Sequence, residues 1–119
     1  MDAGNIYEKL DSFSDHWNPR IIAELNGQQV KVAKLKGDFV WHAHEEEDEM
    51  FLVVKGNLKI EFRDKNMNLT VGDYVVIPRG VEHRPVAEEE VEILLFEPAS
   101  TVNTGKTESD LRRSDLEKI

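Results

Sequence analysis

Between Arg20 and Pro98 the chain is divided into short apolar-polar segments by glycine, asparagine and proline turns at close, even intervals, and helical periodicity is weak except at the two ends. That rhythm is an all-β signature, and strands this short and dense make a sandwich or a closed barrel. Asn26-Gly27 is a hairpin signal between segments expected to be strands at Arg20 to Leu25 and Gln28 to Leu35. Lys36-Gly37-Asp38 turns the chain again. Further strands are expected at Phe39 to His44, Glu49 to Lys55, Asn57 to Arg63, Tyr74 to Ile77, His83 to Val86 and Glu92 to Phe96, with Asp64 to Asn68 as a hairpin turn. Outside this region, Asn5 to Phe13 reads as a short helix stopped by Asn18-Pro19. The segment from Ser100 onward is a polar tail, a strap or partly disordered.

Two of the strands set a further condition. Leu58, Ile60 and Phe62 alternate with polar neighbours, as one buried face requires, whereas Met50 to Val54 and Ile93 to Phe96 are apolar on both faces. If Glu49 points inward, so do Phe51 and Val53, and Met50, Leu52 and Val54 face outward. Those outward residues need cover from the N-terminal segment, from a partner subunit, or from both, and a homodimer is expected.

With 119 residues the chain is expected to form one domain, residues 1–119, with a barrel core at about 20–98 and a tail at 100–119. It has no cysteine, which excludes disulfides, zinc-thiolate sites, iron-sulfur clusters and thiol catalysis. The charge is −9, from 24 acidic and 15 basic residues, and the basic ones are scattered. A phosphate backbone would be repelled overall, so no nucleic-acid partner is expected. No apolar run approaches the roughly 20 residues of a membrane span and the first residues lack a signal pattern, so a cytoplasmic location without membrane contact is expected.

The chemistry concentrates on four residues. His42 and His44, at i and i+2 of an expected strand, present two imidazoles to one side, and Glu49 can return beside them across the polar turn Glu45 to Asp48. With His83 they offer three nitrogens and a carboxylate oxygen, which suits a borderline divalent transition metal. The spacing extends further: Gly37, four residues, His42-x-His44, four residues, Glu49, six residues, Gly56, and then Gly72, five residues, Pro78-x-Gly80, two residues, His83.

These two stretches resemble the signature motifs of the cupin superfamily, and the short spacing from Gly56 to Gly72 resembles that of small bacterial cupins. Four rather than five residues precede His42, and Ala87 stands where the second motif closes on asparagine. Neither departure removes a ligand. The resemblance implies a jelly-roll β-barrel in which His42, His44, Glu49 and His83 bind one divalent metal, iron, manganese, nickel or zinc. It implies an enzyme of dioxygenase or isomerase type acting on a small molecule, or a non-catalytic module that holds a metal or small ligand for storage or sensing. Small cupins described as sugar-phosphate isomerase-like share the pattern, but no cluster of Lys and Arg is visible to hold a phosphate. No nucleophile motif or phosphate loop occurs.

Secondary candidates have structural readings. His16 is expected at the surface or in a structural role, and Trp41 is expected to face opposite to His42. Phe51, Val53, Phe62, Val76 and Phe96 are candidate pocket walls that serve equally as core, and by strand alternation Arg84 points away from the face used by His83.

Overall fold

The computed structural model describes residues 1–119. It contains one short helix, α1 (Ile6–Asp11), and seven strands: β1 (Arg20–Leu25), β2 (Gln28–Asp38), β3 (Glu49–Lys55), β4 (Leu58–Phe62), β5 (Asn66–Leu69), β6 (Tyr74–Ile77) and β7 (His83–Pro98). No helix is long and apolar enough to cross a membrane. α1 starts where the Asn5 side chain accepts hydrogen bonds from the N–H groups of Tyr7 and Glu8, at 2.9 and 3.2 Å. It ends at Asp11, short of the expected Phe13, whose ring instead lies 4.2 Å below the Arg20 guanidinium.

The long strand β7 organises the rest. Along one edge it pairs with β2, from Pro98 opposite Gln28 to Val86 opposite Asp38. On its other edge the first residues pair with β4, His83 opposite Phe62, and the later ones with β3, Phe96 opposite Met50. The sheet order is β1-β2-β7-β3-β6, with β4 and β5 attached beside the start of β7. This is an all-β jelly roll, but β6 and β5 are not bonded to each other, so the expected closed barrel is an open one.

Four expected boundaries differ, the first at Lys36-Gly37-Asp38, which continues β2 past a register shift instead of ending it. His83 to Val86 and Glu92 to Phe96 belong to one strand, with Glu88, Glu89 and Glu90 between them exposed and set in a register irregularity opposite Leu35 to Gly37. Phe39 to His44 is not a regular strand. It is held at separate points, by the Phe39 N–H on the Pro85 carbonyl and by reciprocal bonds between His42 and His83 at 3.1 and 2.9 Å. Asn66 to Asn68, expected within a turn, belong with Leu69 to β5; Leu69 is buried and Met67 half-buried, a two-residue period hidden by the asparagines beside them.

The alternation in β3 is as expected, with Glu49, Phe51 and Val53 buried and Met50, Leu52 and Val54 half-exposed. The N-terminal segment packs on β2 through α1, and the Trp17 N–H bonds the Lys34 carbonyl at 2.9 Å. Tyr74 and Val76 in β6 remain 69% and 53% exposed.

The tail is an ordered strap. Thr101 and Thr104 are buried, the Thr107 hydroxyl donates to the Trp41 carbonyl at 3.1 Å, and Lys106 pairs with Glu45 at 2.8 Å. Gly105 adopts φ +58°, and a Cβ there would press into the Ala43 carbonyl. The strap therefore rests directly on the backbone between His42 and His44. Gly105→Ala is predicted to lower stability by about 2–4 kcal/mol, from left-handed strain plus overpacking. Urea denaturation checks this, and an unchanged midpoint and slope would contradict the close packing of strap on strand.

Candidate metal centre

Each of the four polar residues is delivered by a different constraint. Glu49 is the first residue of β3 and shares its inward phase with Phe51 and Val53. His83 opens β7, and its backbone clasps that of His42, which brings the two rings to 4.3 Å between centroids. His44 follows two residues later, with the strap packed on Ala43 between the two histidines. All four residues are buried, and their ligand atoms lie within 4.8 Å of one another.

Hydrogen bonds orient two of the rings. His42 Nδ1 lies 3.0 Å from the Val40 carbonyl and His83 Nδ1 lies 2.9 Å from that of Val81. A carbonyl only accepts, so each Nδ1 carries the proton and each Nε2 keeps its lone pair for the interior. Glu49 Oε1 stands 3.4 Å from His44 Nε2 and 3.5 Å from His83 Nε2. Both ring nitrogens of His44, Glu49 Oε1 and His83 Nε2 lack a hydrogen-bonding partner within the protein. Buried polar groups are rarely left so.

A transition-metal ion fits this arrangement. Bonds of about 2.1 Å put donors about 3 to 4.2 Å apart around one ion, so the cluster needs to contract by only several tenths of an ångström. Burial, and then the nearby charge of His83, push the His42 imidazole down to about 4, which keeps its lone pair free. Burial alone would raise the Glu49 carboxyl, but the neighbouring Glu97 carboxyl and the His44 and His83 imidazoles outweigh it and hold that group well below the usual carboxylate range.

Sequence reasoning missed the buried partner of Glu49. The Glu97 carboxyl is raised well above its ordinary range by burial and then by the charge of Glu49, and Lys31 Nζ donates to Glu97 Oε1 at 2.9 Å. The signal was in the phase: Lys31 alternates with Ala33 and Leu35, and Glu97 with Ile93 and Leu95, all buried.

A cavity of about 40 Å³ adjoins His42, Glu49 and Glu97. Its apolar wall includes Trp17, Leu35, Phe39, Phe51 and Leu95, and Asn103 of the strap borders it. Trp17, also unforeseen as a wall, stacks on Phe39 at 4.7 Å and donates its indole N–H to the Lys36 carbonyl at 2.8 Å. Of the expected walls, Phe51 is one, Val53 is core, and Phe62 is half-buried 6.4 Å from the His83 ring. Val76 and Phe96 are not walls, because both lie in the outward phase with Met50. His16 is half-exposed against Glu90 at 2.7 Å, and Trp41 faces away from the cluster under Arg63 at 3.9 Å. Arg84 is engaged by Glu61 and Arg79 by Asp48, so neither brings a free charge to the cavity.

Residues 28–97 match the cupin domain family. The chain belongs to that family. A cupin-2 domain containing protein from Shewanella frigidimarina is 49% identical and superimposes with a TM-score of 0.80, over 81% of this cupin and 94% of that chain. A protein of Neisseria meningitidis is 32% identical with a TM-score of 0.75, over 82% and 99% of the two chains. The uncharacterized protein YdbB of Bacillus subtilis is 37% identical over 83 residues, 69% of this chain and 67% of its own. Ala87, the departure from the second motif, is fully buried opposite Gly37.

The His42 shift has a consequence for the metal-free cupin. The unfolded ring titrates near 6.5 and the folded one near 4, so between those values the unfolded state binds the extra proton and stability falls as pH falls. This residue is predicted to remove about 3 kcal/mol of stability across that window. Urea denaturation of wild type and His42→Phe over the same range checks it, and parallel pH profiles would contradict the assignment.

Proposed function

We propose that this cupin binds one divalent transition metal through His42, His44, Glu49 and His83, and that it is an enzyme acting through that metal on a small, mainly apolar molecule. The observation that carries the reading is the convergence of buried donor atoms that have no partner within the protein. Held there, the ion, whether iron, manganese, nickel or zinc, supplies Lewis acidity and, as iron, redox chemistry with dioxygen. The chain's own residues define the rest. Val40 and Val81 fix two imidazoles with their lone pairs inward, and Trp17, Phe39 and Phe51 exclude water from the adjoining wall.

The lining favours a dioxygenase type over an isomerase of phosphorylated sugars. Lys31 is committed to Glu97, and no lysine or arginine borders the cavity to hold a phosphate. A non-catalytic role in metal or ligand holding has one observation in its favour. A cavity of about 40 Å³ takes about three waters, far less than an ordinary substrate site.

Metal analysis after supplementation is expected to give one ion per chain. His83→Ala is expected to weaken binding by about 100-fold or more, since removing a ligand exceeds the cost of removing its support. Oxygen uptake by the iron-loaded protein with diketone, phenolic and thiol substrates separates enzyme from binding module. Zero metal would end both readings.

The same reading includes a single-domain, cytoplasmic homodimer. The half-exposed Met50 and Leu52 and the exposed Tyr74 and Val76 supply the apolar surface that a second copy would cover. Light scattering is expected to give twice 13.7 kDa, falling to 13.7 kDa when Leu52 and Val76 are both changed to Lys. A wild type that is already monomeric would contradict the dimer.

A further inference from the structure

We propose that the buried Lys31–Glu97 pair is a positioning device for Glu49, aiming its carboxylate at the metal and thereby setting metal affinity. The inference rests on the metal reading above and extends it to two residues outside the ligand set.

The geometry is cross-strand. Glu97 lies opposite Gln29 of β2, and Lys31 lies opposite Leu95, so Lys31 and Glu97 are diagonal neighbours on the inner face. Their side chains are each 2% exposed and meet at 2.9 Å. On the other edge of β7, Phe96 pairs with Met50, so the next residue on β7, Glu97, meets Glu49 of β3 on the inner face. The two carboxyl groups lie within hydrogen-bonding reach. Glu97 thus stands between the Lys31 ammonium, which donates to its Oε1, and the ligand carboxyl, and its Oε2 has no other partner within the protein. Glu49 Oε1 is left between the imidazoles of His44 and His83.

Stability alone does not account for the pair. Burying an ammonium against a carboxyl group costs as much as or more than their attraction returns, and apolar replacements of similar volume are often neutral or stabilising. A positioning role does account for it. A carboxylate with no neighbour rotates about its terminal torsion, whereas one gripped from β7 presents a fixed oxygen to the ion. Supporting contacts of this kind are worth about 10–100-fold in metal affinity.

The test is titration of the full-length, metal-free protein with Co(II), read by chelator competition and by the visible absorption of the bound ion. The double variant Lys31→Met, Glu97→Leu is expected to fold with an unchanged or raised melting temperature. It should bind Co(II) about 10–100-fold more weakly, with an altered spectrum. Glu97→Gln, which accepts from Lys31 and donates to Glu49, is expected to bind as the wild type does. Should the double variant not fold, Glu97→Ser leaves room for water beside Lys31 and carries the same expected loss. Wild-type affinity and spectrum in a folded variant lacking the Glu97 carboxyl would overturn the positioning role and leave the metal reading standing. A wild type that binds no Co(II) would overturn both.

Discussion

The interior of this cupin gathers His42, His44, Glu49 and His83 in one place and leaves four of their polar atoms without a partner in the protein. Each buried group left in that condition costs about 1–3 kcal/mol. The surrounding structure holds the cost in place instead of relaxing it. Backbone carbonyls of Val40 and Val81 pin two rings, the strap lies against Ala43, and Lys31 holds Glu97 on the strand beside Glu49. An arrangement supported from so many sides is one that could hold a metal ion.

β7 is the element that makes this possible. Its first residue is a donor, its penultimate residue stands between Lys31 and Glu49, and its two edges bind β2, β3 and β4. A single sixteen-residue strand therefore sets the distance between His83 and the β3 end that carries Glu49. The adjoining cavity follows from the same register, because Ile93 and Leu95 share the inward phase with Glu97.

Much of this was legible in the sequence because it is carried by local periodicity. The phase of Glu49, Phe51 and Val53 and the outward facing of Arg84 follow from a two-residue period, and the glycine and proline spacings carry the family. The missing parts have physical reasons. Glu88 to Glu90 look like a loop by composition, and they form a solvent-facing irregularity between two paired stretches of β7, where their acids remain in water. Phe39 to His44 has the composition of a strand but is held by tertiary bonds to Pro85 and His83. Lys31 and Glu97 are charged types that are almost never fully buried unless paired, and the pairing spans 66 positions of sequence.

The central claim is that four particular side chains converge on one ion. X-ray absorption of the metal-loaded protein tests it most directly, because the fine structure separates imidazole scattering from that of carboxylate and water. The account predicts three imidazoles in the wild-type spectrum and two in His83→Ala. An ion that shows fewer than three imidazoles, or a spectrum untouched by the loss of His83, would contradict it.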